Sequence, residues 1–406
     1  MGDQNQTFVV NHHSNDDPAK IFLNESNVEV ETIKQVAAMI NNSHLSHARV
    51  MPDCHVGHGC CVGFTCKVDY CCVVPSYVGG DIGCGILTYP LSKHKLNLNK
   101  TEAIIKRIIP MGNGHNNVHR NAPVEVTFIE KYLTLAEMDV QKFAEEVGLE
   151  SETTVSISSI DYTYFQSICS KIGMDEDVCI RSLGTLGGGN HFIEVNQADP
   201  SSELYLTIHS GSRTFGMKLF EYHNSKVDKK TKHLNKGDSL EYCIDMIIAQ
   251  KIAIMNRHIM LQLILRELDI EYNTLRLIES IHNYIDFHYK ILRKGAISAQ
   301  ENELCIVSLN MRDGILVCRG KGNEDWNYSC AHGCGRHMSR TEAARRIKMK
   351  DYKLTMRDVV SSSVCTGTLD EAPQAYKDMG LIVEALQDTV EIIQHLPSVI
   401  NWKGVD

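Results

Sequence analysis

The chain has 406 residues, of which 43% are hydrophobic, and its formal net charge is −9. A chain of this length buries a substantial core, and its negative charge excludes a globally basic surface, so any polyanion must be held by a local basic patch. Neither an apolar run of about 18 residues nor a signal peptide is found, and we expect a soluble intracellular protein of the cytoplasm or nucleocytoplasm without a membrane partner.

The fifteen cysteines include seven between Cys54 and Cys84, and no C-x-x-C motif occurs. This spacing excludes a zinc ribbon and a thioredoxin-type site. We expect most of the thiols to be buried as small apolar side chains in a reducing compartment.

Periodicity of the apolar residues predicts both helices and strands. Helices are predicted at 31–41, 101–109, 134–147, 239–268, 340–348 and 379–395, and strands at 191–195, 203–209, 305–309 and 315–320. The last two strands are expected to form a hairpin across NMRDG. The helix containing the most apolar stretch, 243–268, is interrupted by charged side chains and is predicted to be amphipathic. Because the elements follow no regular βαβ order, we predict an α+β fold of mixed sheets flanked by helices, with residues 1–406 as one domain.

Five segments share one feature, which is that glycines surround histidine, cysteine, aspartate or arginine. They are 51–59 (MPDCHVGHG), 78–86 (VGGDIGCGI), 183–195 (LGTLGGGNHFIEV), 208–216 (IHSGSRTFG) and 331–340 (AHGCGRHMSR). Glycine loses much conformational entropy on folding, so a packed neighbour or a ligand must gain from the missing side chains. Phosphate-loop, dinucleotide-binding, G-x-S-x-G and H-E-x-x-H motifs are absent, and Ser210 beside His209 is weak support for a serine hydrolase.

Asp81 and Cys84 stand two residues apart among glycines that let the backbone curl around an ion. Carboxylate and thiolate both bind divalent cations as anions. The alternation in 203–209 places His209 at the end of a strand, where ligands commonly lie. A metal site is therefore indicated, although a packed or surface role is the more common one for any single histidine.

The segment NHFIEV extends this interpretation. Its alternation puts Asn190 and Glu194 on one face of a strand and His191 on the other, so the strand can lie between two ligands. The His282–Asn283 pair is a further candidate for the same site.

Two arginines and one histidine indicate a phosphorylated ligand. Arg213 in SGSRTFG and Arg336 in HGCGR offer planar forks beside glycines with free backbone N–H groups, although tight turns with surface arginines are the alternative for each. His332 stands between Ala331 and Gly333, and a neutral imidazole in such an open context is a candidate covalent nucleophile toward phosphorus. Together these features favour phosphoryl or nucleotidyl transfer.

Six motifs, taken in order, resemble the RtcB-type RNA-splicing ligases. They are GGDIGCGI, LGTLGGGNHFIEV, HSGSR, HGCGRHMSR, DEAPQAYK and the terminal NWKG, and the likeness runs from near Met51 to the C-terminus. The resemblance implies an RtcB-like fold and an RNA ligase that joins a 3′-phosphate or 2′,3′-cyclic phosphate end to a 5′-hydroxyl end. It also implies GTP and two Mn²⁺ ions as cofactors, a role in tRNA splicing or RNA repair, and an archease-type activator as a possible partner.

The resemblance assigns roles to individual side chains. Cys84 bridges the two Mn²⁺ ions, with His209 and His282 on one ion and Asp81 and His191 on the other. His332 is the guanylylated nucleophile, and Asp53 in MPDCH is expected to act near the incoming hydroxyl. The other assignments place Asn190, Glu194, Tyr376 and Lys403 at the nucleotide, and Arg213 and Arg336 at RNA phosphates. Glycines 187–189 are expected to let the main chain approach a nucleotide phosphate. Ligand softness alone favours zinc, so manganese is implied by the resemblance.

The sequence departs from the family pattern at three places. Cys334 replaces a common Ala, Gly80 replaces a common Val, and 308–314 (SLNMRDG) replaces a Pro-Gly-Ser-Met-Gly stretch that helps to hold guanine. No guanine-contacting serine is therefore assigned. Two alternatives stay open, a metal-dependent RNA terminal phosphoesterase that never ligates and a catalytically silent RNA-binding subunit.

Overall fold

The computed structural model describes residues 7–11, 18–41, 45–92, 96–112, 117–148 and 159–404. Within these residues four β-sheets lie among helices, one sheet contains both parallel and antiparallel pairs, and the predicted α+β class is confirmed. That residues 1–406 form one domain stays a prediction, since residues 1–6 and 405–406, among others, lie outside the described part.

The helices of the described residues vary from two turns to about nine turns. They are α1 (Val30–Ile40), α2 (Leu98–Ile108), α3 (Val126–Glu146), α4 (Tyr162–Lys171), α5 (Glu176–Ser182), α6 (Arg213–Asn224), α7 (Lys236–Glu267), α8 (Arg340–Arg346), α9 (Met349–Thr355) and α10 (Met379–Ala385). Polar caps begin several of them: the Asn235 side chain accepts from the Asp238 N–H at α7, and Ser339 accepts from the Glu342 N–H at α8.

The strands are mostly short. They are β1 (Phe8–Val10), β2 (Ala19–Ile21), β3 (Ser46–His55), β4 (Val62–Lys67), β5 (Gly85–Ser92), β6 (Phe192–Gln197), β7 (Leu204–Ser210), β8 (Ile278–Ile281), β9 (Asn283–Asp286), β10 (Ile291–Lys294), β11 (Ala296–Ser298), β12 (Leu304–Ser308), β13 (Ile315–Gly320), β14 (Ser329–Ala331), β15 (Val390–Leu396) and β16 (Ser398–Lys403). The predicted strands correspond to β6, β7, β12 and β13, and β12 and β13 form the predicted hairpin.

One sheet has the order β16-β6-β7-β5-β8, and every neighbouring pair in it is antiparallel. Antiparallel pairing brings the start of one strand beside the end of the next. At one end of the sheet the register therefore aligns Phe192 with His209 and with Lys403, and Gly85 with Ser210 and Ile281. Residues just outside these strand ends lie together although they are far apart in the chain.

Two other sheets approach the same place. The β11-β14 ladder pairs Ala296 with Ala331, and the residue after Ala331 is His332. The β12-β13-β15 sheet contributes the end of β12, where the Ser308 N–H donates to the His332 carbonyl and the Cys334 N–H donates to the Ser308 carbonyl. Gly333 allows this approach, because a Cβ there would lie 2.6 Å from the Ser308 oxygen.

Helix α7 spans 32 residues, about 48 Å, and differs from its prediction. Most of its residues are buried, and Asp245, Asn256 and Arg257 are completely so, whereas Gln250, Lys251 and Gln262 are partly exposed. Of the polar side chains that seemed to mark a solvent face, Asp245 is instead paired inside the protein with His223 at 2.7 Å. No helix among the described residues combines the length and apolar character that a membrane span needs.

The predicted helix at 379–395 is wrong in its second half. Helix α10 ends at Ala385, and Val390–Leu396 forms β15, which pairs with β13. The segment alternates between exposed Glu391, Ile393 and His395 and more buried residues, so sheet pairing determines its structure. The other five predicted helices correspond to α1, α2, α3, α7 and α8.

The cysteines behave mainly as predicted. Twelve of the fifteen are buried, all fifteen are free thiols, and Cys71 is the exposed one. Burial raises the pKa of the Cys66 thiol to about 12, as expected for a core side chain with no charged partner.

Candidate active site

The predicted metal ligands converge at the end of the five-stranded sheet described above. Cys84 immediately precedes β5, His191 precedes β6, His209 is the penultimate residue of β7, and His282 follows β8. Asp81 lies in the turn before Cys84, whose N–H donates to the Asp81 carbonyl. Strand order thus brings together residues that are up to 201 positions apart.

These side chains form two groups that share one thiol. Cys84 Sγ lies 3.3 Å from His209 Nε2, which is 3.1 Å from His282 Nε2. On the other side, Cys84 Sγ lies 3.4 Å from His191 Nε2, which is 3.0 Å from Asp81 Oδ2. The groups Cys84–His209–His282 and Asp81–Cys84–His191 each have their ligand atoms close enough to bind one ion.

The donor set fits divalent cations. Atoms bonded to one ion at 2.0–2.3 Å in tetrahedral geometry lie about 3.3–3.8 Å apart, slightly above the spacings here. Four of the five side chains are buried, and Asp81 is partly exposed. Buried Nε2 atoms facing one another without a charge between them leave lone pairs that a cation would satisfy.

The protonation states favour neutral imidazoles and an ionised carboxylate. Burial and neighbouring histidines lower the pKa of His209 well below its usual value. Burial raises the pKa of Asp81, but His191, Cys84 and Arg213 outweigh it and hold that pKa below its usual range. Burial, together with Asp81, raises the pKa of Cys84, so cation binding to the thiolate would release a proton.

The backbone around Asp81 and His191 is closely fitted. A Cβ on Gly211 would lie 1.9 Å from Asp81 Oδ1, so only glycine leaves room for this carboxylate. His191 Nδ1 lies 2.9 Å from the Leu186 carbonyl, which it can reach as a donor. A ring nitrogen that donates to a carbonyl leaves Nε2 as a lone pair directed at Asp81 and Cys84.

His332 approaches the metal ligands from the other sheets. Its ring centroid lies 4.8 Å from that of His282, and its Nδ1 lies 2.6 Å from Oδ2 of the fully buried Asp53. This distance is short enough for a hydrogen bond, but the alignment of the two groups falls outside hydrogen-bond geometry. Asp53 Oδ2 also accepts from the Gly333 N–H at 3.2 Å. The carboxylate favours the proton on Nδ1 and leaves the lone pair on Nε2, the state a nucleophile needs.

A cavity of about 640 Å³ opens beside His332. This volume is within the range of sites that hold nucleotide-sized ligands. Its lining includes five sequence-predicted residues besides His209 and His332, namely Asn190, Glu194, Arg336, Tyr376 and Lys403. His209, a predicted metal ligand, and His332 thus line the same cavity as the predicted nucleotide residues.

Glu371 organises one side of the cavity and was not predicted as a functional residue. Its buried carboxylate accepts from Tyr376 Oη at 2.6 Å and pairs with Lys403 Nζ at 2.5 Å. It also pairs with Arg340 at 2.6 Å and Arg336 at 3.2 Å. Burial raises its pKa, but the charges of Lys403, Arg340 and Arg336 lower it to about 2, so Glu371 stays ionised at neutral pH. The predicted nucleotide residues are thus held in place before any ligand binds.

The pKa of Glu194 is raised, whereas that of Glu371 is lowered. Glu194 is buried in β6, where it accepts from Asn196 at 2.9 Å and from Asn401 at 2.6 Å. Burial raises its pKa to about 7 although these hydrogen bonds lower it. Near neutral pH the side chain therefore carries a proton part of the time.

The two predicted RNA-phosphate arginines are already engaged. Arg213 Nε donates to Thr185 Oγ1 at 3.2 Å, and its Nη1 lies 3.4 Å from His191 Nδ1. Arg336 pairs with Glu371, donates to the Met338 carbonyl at 3.1 Å and lies 5.2 Å from the Tyr376 ring centroid. Their role at RNA phosphates stays a prediction.

The glycine run 187–189 has a partly structural explanation. Gly187 has φ +88°, and a Cβ there would lie 1.9 Å from Arg213 Nη1. A Cβ on Gly404 would in turn lie 2.1 Å from the Gly187 carbonyl oxygen. Gly189 has φ +70° and open space around it, with Arg340 4.0 Å away. Gly187 thus serves packing, whereas a side chain at Gly189 would meet no neighbour closer than Arg340.

Two of the departures from the family pattern have local causes. A Cβ on Gly80 would lie 2.5 Å from Met217 Sδ. In this chain the Met217 side chain of α6 therefore occupies the space that a larger residue at position 80 would need. Ser308, Leu309, Asn310 and Met311 line the cavity. The Asn310 side-chain amide donates to Asp313 Oδ2 at 2.7 Å, within the β12–β13 turn.

Sequence reasoning missed the buried supports of the site. Arg257 of α7 donates to the Gly83 carbonyl at 2.9 Å and the Ser210 carbonyl at 2.6 Å, next to Cys84 and His209. Asn256 donates to the Thr185 and Gly211 carbonyls at 3.2 and 3.1 Å. The available signal was a polar pair inside a strongly apolar helix, because such groups are buried only when they are paired.

Together, the fold and the site define an α+β protein in which three features meet at the ends of strands. They are two groups of candidate cation ligands that share one thiol, a contact between half-buried His332 and buried Asp53, and a cavity of about 640 Å³. A family model described as "tRNA-splicing ligase RtcB" matches residues 33–404. The chain therefore belongs to the RtcB family.

Relatives of this family align over most of the chain. The RNA-splicing ligase RtcB of Escherichia coli strain K12 is 29% identical over 431 aligned positions, covering 95% of this chain and 97% of that protein. The tRNA-splicing ligase RtcB of Nanoarchaeum equitans is 25% identical, covering 91% of each chain. The RNA-splicing ligase RtcB of Mycobacterium bovis is 24% identical, covering 82% of this chain and 91% of the relative.

Proposed function

We propose that the protein is an RNA ligase that joins RNA 3′-phosphate or 2′,3′-cyclic phosphate ends to 5′-hydroxyl ends through a His332–GMP intermediate. Membership of the RtcB family supports the ligase class. The observation that carries the finer proposal is the position of His332, which contacts Asp53 on one side and the metal-ligand histidines on the other, at a cavity of about 640 Å³. The reaction would serve tRNA splicing or RNA repair in the cytoplasm or nucleocytoplasm.

The first step forms a phosphorus–nitrogen bond on His332. Nε2 attacks the α-phosphorus of GTP, the bond to the β-phosphate oxygen breaks, and pyrophosphate leaves with the electron pair. The Nδ1 proton stays beside Asp53, which stabilises the positive charge that develops on the ring. Burial of Asp53 behind His332 favours this role over the predicted role at the incoming hydroxyl.

The second and third steps depend on the phosphorus–nitrogen bond that the first step would form on His332. The RNA 3′-phosphate takes GMP from His332, which restores the neutral imidazole and creates a good leaving group on the RNA. The 5′-hydroxyl then attacks that phosphorus and displaces GMP. Two Mn²⁺ ions held by Asp81, Cys84, His191, His209 and His282 would neutralise charge on the attacking and leaving oxygens.

The nucleotide is assigned to the cavity. Glu194 would accept from the guanine edge, Asn190 would lie near the α-phosphate, and Tyr376 and Lys403 would close the guanosine pocket. Support comes from their common position around the cavity and from Glu371, which fixes Tyr376 and Lys403 in advance. An archease-type activator stays part of the proposal as a partner.

The proposal is tested by mass spectrometry of the protein after incubation with GTP and Mn²⁺. We expect a GMP adduct on the peptide that contains His332, labile to acid and absent from His332→Ala. His337→Ala is the matched control, since His337 lies at the exposed rim of the same cavity and should leave the adduct intact. A wild-type protein that opens a cyclic-phosphate RNA but forms no adduct would identify a phosphoesterase instead.

The pKa of Glu194 predicts how guanosine binding depends on pH. The base needs an ionised acceptor, and a pKa of about 7 means that this form is lost as pH falls. Between pH 8 and pH 6 we expect the affinity for guanosine, a probe without phosphate, to fall about tenfold by calorimetry. Glu194→Gln should bind weakly with a flat profile, and a wild-type profile that is flat or reversed would contradict the assignment.

A further inference from the structure

The chain contains two strongly basic runs, and the proposed ligase chemistry assigns neither. Residues 340–357 carry seven arginines and lysines against two carboxylates, and residues 226–236 carry five lysines against one aspartate. In a chain with a net charge of −9, such local excesses of positive charge attract polyanions. Their positions relative to the cavity differ.

The first run lies at the mouth of the cavity. Met338, Ser339, Arg340 and Glu342 line the cavity, and α8 starts at Arg340. Helix α8 is about 10 Å long, and α9 follows it after two residues. An RNA strand whose end occupies the cavity is therefore within reach of these two helices.

Helix α9 is fixed to the cavity wall by one buried side chain. Tyr352 Oη lies 3.0 Å from Met311 Sδ and 3.3 Å from Thr368 Oγ1, and Met311 lines the cavity. The exposed side of α9 carries Lys350 and Lys353. The positive charges of this helix therefore have a defined position relative to His332.

Four cations of the run are available to a ligand. Arg345, Lys348, Lys350 and Lys353 are exposed, and no carboxylate in the described part of the chain lies within 4.0 Å of them. By contrast, Arg340 pairs with Asp370 and Arg346 with Glu342. We call these four side chains the α8–α9 surface.

Two acidic residues from another element also line the cavity. They are Glu29, which directly precedes α1, and Glu31 in its first turn. Their negative charges repel a phosphodiester chain, which favours the basic α8–α9 surface as its path.

The second run lies elsewhere. It connects α6 to α7, and the Leu234 N–H donates to the Val73 carbonyl. Helix α6 starts near the metal ligands at Arg213, and its 12 residues place this run at the far end, about 18 Å away. Lys229, Lys230 and Lys232 are exposed like the lysines of the α8–α9 surface, but no residue of their run lines the cavity, whereas Arg340 and Glu342 of α8 do.

We propose that the α8–α9 surface binds the phosphodiester backbone of the RNA strand whose terminal phosphate occupies the cavity. The inference rests on the proposed ligase function and adds to it the place where the strand leaves the active site. Lys348, Lys350 and Lys353 contact phosphates as point charges, so they contribute affinity and salt dependence rather than sequence preference.

The test compares two matched triple variants in binding a single-stranded RNA oligonucleotide with a 3′-phosphate, measured by fluorescence anisotropy between 50 and 200 mM salt. Lys348→Gln/Lys350→Gln/Lys353→Gln should bind at least tenfold more weakly at about 0.1 M salt, with a salt slope lower by about 2. Lys229→Gln/Lys230→Gln/Lys232→Gln should bind like the wild type. Equal affinities of the two triple variants would overturn the proposal.

Guanylylation separates this proposal from the ligase proposal. Both triple variants should form the GMP adduct at the wild-type rate, which also shows that they are folded. If the wild type forms no adduct, the ligase proposal fails. The comparison of RNA affinities between the two triple variants still decides whether the α8–α9 surface binds RNA. If adduct formation is normal but α8–α9 substitutions leave RNA binding unchanged, only the surface proposal fails.

Discussion

Replacing Cys84 with Ala is expected to remove both bound cations at once. Its Sγ is the single atom common to the two ligand groups, at 3.3 Å from His209 Nε2 and 3.4 Å from His191 Nε2. Each remaining group would keep two ligands, and we expect affinity for each ion to fall by about 100-fold or more. Metal content after dialysis against Mn²⁺, measured by mass spectrometry, should drop from two ions to none per chain.

Two further variants serve as comparisons for Cys84→Ala. His282→Ala removes a ligand from one group only, so one ion should be retained by Asp81, Cys84 and His191. Cys243→Ala removes an equally buried thiol from α7 and should retain both ions. Retention of both ions by Cys84→Ala would contradict a shared thiolate, whatever happens to activity.

Replacing Arg257 with Met is expected to destabilise the fold by about 3 kcal/mol at pH 7, because it leaves the mostly buried carboxylate of Glu279 without its arginine partner. Arg257 is fully buried, and its Nε lies 2.6 Å from Glu279 Oε1. Burial raises the pKa of Glu279, but Arg257 and His258 lower it to about 2. Urea denaturation of the wild type and the variant measures the difference.

The destabilisation caused by Arg257→Met is expected to depend on pH in a defined direction. A carboxylate with a lowered pKa contributes stability above its usual pKa near 4.5, and that contribution is lost as pH falls toward 2. The destabilisation should therefore persist from pH 7 to about pH 4.5 and shrink as pH falls from there toward 2. The double variant Arg257→Met/Glu279→Gln should recover much of the loss, and a difference that is independent of pH would exclude the charge pair as its cause.

Arg257 also connects fold stability to the metal site. Its Nη1 holds the carbonyls of Gly83 and Ser210, which adjoin Cys84 and His209 in the chain. A variant that folds but lacks these two bonds should bind cations more weakly than the wild type. The free energy of unfolding and the metal affinity are thus expected to fall together.

Asp81, Cys84, His191 and His209 could be proposed as metal ligands because each stands beside glycines or at a predicted strand end, and the resemblance to a family supplied their grouping with His282. The structure then brings Asp81, Cys84, His191, His209 and His282 together through the order of one antiparallel sheet. Position along the chain did not show that His332 enters from another sheet, since this depends on the pairing of β11 with β14.

The elements that were missed depend on contacts distant in the chain. The segment 390–396 becomes a strand because β13 is available to pair with it, whereas its local pattern resembled the end of a helix. Asp245 and Arg257 looked like solvent-facing charges and are buried because each is paired, Asp245 with Lys171 and Arg257 with Glu279. Arg336 looked free to bind phosphate, and only the structure shows Glu371 beside it.

The order of strands in the five-stranded sheet has a consequence for synthesis of the protein. Its outer strand β16 follows the other four strands of the sheet in the chain and is therefore synthesised after them, and it delivers Lys403 next to Phe192 of β6. The nascent chain must therefore extend through Lys403 before the part of the cavity wall that this strand contributes can form. A polypeptide that stopped between residues 282 and 332 would contain all five predicted cation ligands yet lack His332, the proposed nucleophile.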